Sequence, residues 1–137
     1  MSKLFLHIQL ATELKSINFH KPIISIVREN IEAVQIFDFD NFSDTSILNF
    51  ANELLTKADQ IVIYFEAEPQ ANMNYLRSFL TNLLDKPEVI PILLSGNNEA
   101  LEKILSILGY QKISENTQEI ELIETIHSMF LSNLQKH

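Results

Sequence analysis

Short apolar runs alternate along the chain with segments whose apolar residues recur at helical spacing. Four runs are continuous and rich in β-branched, aromatic and leucine residues, which predicts strands buried on both faces. They cover residues 4–10, 34–39, 61–65 and 89–94. A weaker run at residues 110–114 alternates apolar and polar side chains, which predicts an edge strand.

The segments between these runs predict helices, with spans of 22–31, 43–58, 70–85, 97–109 and 116–134. Ser43 or Asp44 can cap the second helix, and Asn97 or Asn98 the fourth. Gly109 follows the fourth helix, where a left-handed residue is common. Pro87 lies just past the third, and residues 12–21 are predicted to form a long loop after the first strand.

Alternating strands and helices predict a parallel sheet covered on both faces. We therefore expect a single domain over residues 1–137. It should be an α/β, three-layer, doubly wound sheet of about five mostly parallel strands in the flavodoxin-like order 2-1-3-4-5. Ligands of such sheets bind beyond the carboxyl ends of the strands, where the strand order reverses. Here that point lies between the first and third strands.

Charge and composition narrow the classes of partner and chemistry. The 137 residues carry a formal charge of −8 without a basic cluster, so nucleic-acid binding is not expected. The chain has no cysteine, which excludes thiol nucleophiles and cysteine-ligated metals. The first apolar run contains His7 and Gln9 and predicts a strand rather than a signal peptide. A cytoplasmic protein without membrane association is expected.

Candidate ligand residues gather at the predicted switch point. They are Gln9, Thr12, Glu13, Glu66, Glu68 and Ser95. Acidic residues there, with Asp38 and Asp40, could hold a hard cation or could simply be solvated; no metal or cofactor is predicted. With only two glycines, neither a dinucleotide fingerprint nor a P-loop is present. Gly96 could mark a tight turn or an anion-binding loop.

No catalytic residue is predicted. The four histidines, His7, His20, His127 and His137, share no ligand spacing, and His7 is interpreted as a hydrogen-bonded core residue. No serine lies in a nucleophile-elbow sequence. Phe19 and Phe42 fall in predicted loops, either as exposed anchors or as residues that fold back onto the core.

Residues 58–69, ADQIVIYFEAEP, and 89–96, VIPILLSG, resemble the third and fourth strands of response-regulator receiver domains. In that family the phosphoacceptor aspartate lies four positions before the proline, which here is Phe65. At the positions of that family's acidic pair, after the first strand, this sequence has Ile8, Gln9 and Leu10. Lys112 lies too early in the chain to match the lysine that ends the family's fifth strand. The resemblance therefore implies a receiver-like domain that lacks the phosphoacceptor.

Residues 34–94 are also similar to TIR domains and nucleoside deoxyribosyltransferases. Phe37-Asp38-Phe39-Asp40 and Val89-Ile90-Pro91-Ile92 carry this likeness. Enzymes of that group use a glutamate in a helix whose counterpart here, residues 70–85, has none. Glu66 and Glu68 lie before it.

Three functions follow from these observations. The first is a noncatalytic signalling or protein-interaction domain, with a protein partner or a homodimer. The second is a small nucleotide- or nucleoside-processing enzyme that uses the acidic switch point. The third is a metal-dependent phosphotransfer site of a different construction from known ones.

The predicted contact surface combines the fourth helix, the fifth strand and the fifth helix, through Ile107, Leu122, Ile126 and Met129. Alternatively, the last helix packs its own apolar residues deeper into the core.

Overall fold

The computed structural model describes residues 2–17, 21–86, 89–114 and 116–134, with residues 133 and 134 described by their backbone alone. Within these ranges five parallel strands form one sheet in the order β2-β1-β3-β4-β5. The strands are β1 (Lys3–Leu10), β2 (Val34–Asp40), β3 (Gln60–Ala67), β4 (Ile92–Gly96) and β5 (Gln111–Ile113). The helices are α1 (Pro22–Asn30), α2 (Thr45–Lys57), α3 (Arg77–Leu84), α4 (Glu99–Leu108) and α5 (Glu119–Leu134). The predicted flavodoxin-like α/β fold is confirmed.

Alternate residues of the central strands point into two separate cores. Leu6 of β1 and Ile63 of β3 lie in the core formed with α2, α3 and α4. Phe5 and Val62, their neighbours in the chain, lie in the core formed with α1 and α5. Because β1 and β3 are covered on both faces, most of their residues are apolar.

Two strand predictions are wrong in part. β4 begins at Ile92 rather than Val89, because Pro91 has no N–H to donate to the sheet, although its carbonyl accepts from the Ile63 N–H at 3.1 Å. β2 is an outer strand instead of one buried on both faces, and Phe39 is its one fully buried residue. The prediction of β5 as an edge strand is confirmed.

The third predicted helix starts later than residue 70. Residues 74–76 form a short 3₁₀ helix, and α3 starts at Arg77. The side chain of Asn72 accepts from the Asn74 N–H at 2.7 Å, which favours a turn over a helix there. Helix capping by Asp44 and Asn98 is confirmed, and Gly109 has the expected positive φ of 87°.

The apolar residues of α5 divide between the core and the surface. Ile126 is completely buried, while Leu122 and Met129 are half-buried against the same core. Ile126 therefore cannot line an exposed contact surface as predicted, because the helix packs it against the sheet. Ile107 of α4 is 75% exposed and Ile120 of α5 is 65% exposed.

Phe42 is exposed, so it does not fold back onto the core. Phe19, His20, Pro87 and His137 lie outside the described residues.

Candidate ligand site at the carboxyl ends of the strands

Strand register brings polar residues of four strands together on the face covered by α1 and α5. His7 of β1 lies opposite Asp38 on one side and Tyr64 on the other. One step nearer the strand ends, Gln9 lies opposite Glu66, which in turn lies opposite Ser95. We call the following residues the polar cluster: His7, Lys21, Asp38, Tyr64, Glu66 and Ser95.

His7 is the innermost member of the polar cluster. Its side chain is completely buried, and its ring centroid lies 5.6 Å from that of Tyr64. Neither ring nitrogen has a hydrogen-bond partner among the described residues. The nearest acidic oxygen is Glu66 Oε2, at 3.6 Å from Nε2, which is longer than a hydrogen bond.

Glu66 connects the buried imidazole to the surface, since 38% of its side chain is exposed. Burial acts to raise the pKa of Glu66, but the His7 imidazole, the Lys21 charge and the Tyr64 hydroxyl together lower it below its usual value. Glu66 is therefore a carboxylate at neutral pH. Burial, with the charge of Glu66, raises the pKa of Tyr64 to about 12.

Lys21 immediately precedes α1 and reaches back to β2. Its ammonium group lies 2.7 Å from Asp38 Oδ2, and its side chain is only 6% exposed. This close pair offsets the charge of Asp38, which leaves Glu66 as the carboxylate of the polar cluster that faces His7.

The other predicted site residues are held apart from the polar cluster. Thr12 donates to the Glu68 carboxylate at 2.9 Å, and exposed Glu13 pairs with Lys15 at 3.1 Å. In the described part of the chain, no three acidic or histidine side chains are grouped so that they could hold a metal ion. The acidic residues at this edge thus belong to separate pairs.

Gly96 lies where β4 leaves the sheet. Its φ is +88°, and a Cβ atom there would lie 2.2 Å from the Ala67 carbonyl oxygen. Backbone packing in a tight turn accounts for this glycine.

A concavity of about 610 Å³ lies beside the loop after β3 and the start of α4. Its polar lining residues are Gln70, Arg77, Asn98, Glu99 and Lys103. Arg77 donates to Asn74, Asn98 caps α4, and Lys103 pairs with Glu99. The cationic groups of this concavity are therefore already used within the protein.

Sequence reasoning named Glu66 and Ser95 of the polar cluster, and Gln9 beside them, as candidate ligand residues, but it did not name His7, Lys21 or Tyr64. A usable signal was present, because His7 and Gln9 differ by two positions and must share a face of β1. This pattern could not identify Lys21, because Lys21 lies in the chain just before α1 and contacts Asp38 of β2 only in the folded structure.

No family model, curated protein or solved structure matches the chain. Among the helices in the described ranges, none is long and apolar enough to cross a membrane.

Proposed function

We propose that the chain is a noncatalytic signalling or protein-interaction domain of receiver-like architecture. The observation that carries this proposal is the position of Phe65, which replaces the phosphoacceptor in the receiver resemblance and is completely buried in the core. Phosphoryl transfer to a receiver needs a carboxylate nucleophile and a metal ion that neutralises charge. A buried phenyl ring supplies neither function.

The separate pairing of the acidic residues supports the same proposal. Glu68 accepts from Thr12, Glu13 pairs with Lys15, and Asp38 pairs with Lys21. Converging carboxylates would favour metal-assisted chemistry, whereas dispersed and paired carboxylates favour a binding role.

Incubation with Mg²⁺ and acetyl phosphate tests this proposal. The intact mass measured immediately afterwards should be unchanged, because no carboxylate occupies the phosphoacceptor position. A receiver domain with its acidic residues in place serves as the positive control. A stoichiometric gain of one phosphoryl group that hydroxylamine removes would contradict the proposal.

We propose that the partner surface is formed by α4, β5 and α5. Ile107 and Ile120 expose apolar side chains there, and β5 is an outer strand of only three residues. Exposed apolar groups beside a sheet edge are typical of protein contacts. The partner is a second copy of this chain or another protein.

A small nucleoside- or nucleotide-processing enzyme is the second candidate. It is favoured by the proximity of the His7 imidazole to the Glu66 carboxylate, 3.6 Å away, because such a pair can move protons. Chromatography after incubation with nucleosides and nucleotides tests it: Glu66-dependent products would establish an enzyme in place of a noncatalytic domain.

A further inference from the structure

The buried imidazole of His7 has hydrogen-bonding capacity that the described protein groups do not use. A neutral imidazole has one N–H donor and one nitrogen acceptor, and both ring nitrogens are unpartnered. Leaving such groups unsatisfied inside a protein is unfavourable. A molecule that supplies the missing hydrogen bond is therefore favoured at this position.

The spacing between His7 and Glu66 defines what kind of atom fits. Nε2 and Oε2 are 3.6 Å apart, too far for a direct bond, yet one oxygen atom can lie within hydrogen-bond distance of both. With Nε2 protonated, that atom must accept from the imidazole and donate to the carboxylate. A hydroxyl does both, whereas an ammonium group cannot accept and an ionised phosphate cannot donate.

The negative charge at the polar cluster and on the chain as a whole favours an uncharged ligand over an anion. Lys21 is already paired with Asp38 at 2.7 Å, so its charge is offset. Glu66 is negative at neutral pH, and the whole chain carries a formal charge of −8. An anionic ligand would meet repulsion at the polar cluster and across the surface.

We propose that His7 and Glu66 form a binding site for a hydroxyl group of an uncharged small molecule, such as an alcohol, a polyol or a sugar. The ligand approaches from the Glu66 side, because 38% of the Glu66 side chain is exposed while His7 is enclosed. This site is independent of the proposed noncatalytic role and of the partner surface.

Titration of the isotopically labelled chain with glycerol, D-ribose and myo-inositol tests this site by NMR. The imidazole signals of His7 report binding, and those of exposed His127 serve as an internal reference. At least one probe should shift the His7 signals saturably, and ribose 5-phosphate should bind more weakly than ribose.

Two matched variants assign the effect to the proposed site. Glu66→Ala should weaken binding about tenfold or more, because a charge-assisted hydrogen bond is lost. Glu53→Ala, which removes an exposed carboxylate of α2 on the opposite face of the sheet, should leave the affinity unchanged.

Three results would overturn the proposal. They are equal shifts at His7 and His127, equal losses in the two variants, and no response of His7 to any probe. The last result would mean that water alone bridges His7 and Glu66. Because this experiment measures neither phosphorylation nor association, its failure would leave the proposed function standing.

Discussion

Gly96 and Gly109 have almost the same positive φ, +88° and +87°, but different surroundings. An added Cβ at Gly96 would lie 2.2 Å from the Ala67 carbonyl oxygen, a backbone atom that cannot move independently. At Gly109, no heavy atom of the described residues, apart from its own chain neighbours, lies within 4 Å of an added Cβ. Comparing an alanine substitution at each position therefore separates two costs in folding free energy, that of the backbone conformation and that of steric overlap.

We expect Gly109→Ala to lower the free energy of unfolding by roughly 1–3 kcal/mol, the cost of holding a residue with a Cβ at a φ of 87° and a ψ of 132°, a region of backbone conformation that glycine alone adopts readily. Gly96→Ala should lower it further, because the same strain is combined with an overlap that separates β3 from β4. Urea unfolding of both variants measures the difference. Equal losses would show that the Ala67 contact is relieved without cost.

His7 illustrates what a sequence pattern cannot predict at the scale of one residue. Its place in a continuous apolar run indicated a buried side chain, and this is confirmed. The expected hydrogen bond is not present among the described residues, because the Glu66 oxygen lies 3.6 Å away. That distance depends on the register of two strands separated by more than fifty residues, which local periodicity does not determine.

Among the elements, α2 and α4 start with caps of different kinds. Asp44 is exposed and accepts from two backbone N–H groups of its own helix. Asn98 is 2% exposed, accepts from the Leu101 N–H, and also donates to the carbonyls of Glu68 and Ala71. Asn98 therefore joins α4 to the loop after β3 as well as capping the helix.

Replacing Asn98 by alanine should lower the free energy of unfolding by about 2–4 kcal/mol, since a cap is lost and buried carbonyls lose their donor. Asp44→Ala removes a cap alone and should cost less. Thermal or urea unfolding of the two variants measures both losses. If the Asp44 variant is as unstable as the Asn98 variant, the bonds from Asn98 to the loop contribute nothing measurable.

The ends of helices and strands were predictable where capping residues and prolines near them in sequence agreed with how the element packs. The start of α1 at Pro22 and the caps of α2 and α4 depend on residues adjacent in sequence, and these predictions are confirmed. The beginnings of α3 and β4 differ from prediction because turn bonding by Asn72 and the missing N–H of Pro91 outweigh apolar periodicity.

At the scale of the whole molecule, the order of the strands places the polar cluster. β1 and β3 are adjacent although β2 lies between them in sequence, so Gln9 meets Glu66. The strand order 2-1-3-4-5, predicted from sequence, is confirmed and places Gln9 and Glu66 side by side at the carboxyl ends of their strands. The burial of Lys21 beside Asp38 was not predictable from sequence. It depends on how α1 packs against the complete sheet.

The partner surface gives the last prediction. Ile107 and Ile120 are exposed, whereas Ile126 is completely buried. If α4, β5 and α5 form a contact between two copies, Ile107→Glu and Ile120→Glu should convert a dimer into a folded monomer, because a charge cannot be buried there without a partner. Light scattering measures the mass, and circular dichroism verifies the fold.

Two further variants distinguish this association from general stickiness or unfolding. Leu84→Glu replaces an exposed apolar residue of α3, which covers the same face of the sheet as α4 but lies outside the proposed surface, and should leave the mass unchanged. Ile126→Glu should instead destabilise the fold by about 3 kcal/mol or more, because it places a charge in the core. A wild-type monomer unaffected by the α4 and α5 substitutions would rule out the homodimer. Only contact with a different protein would then remain for this surface.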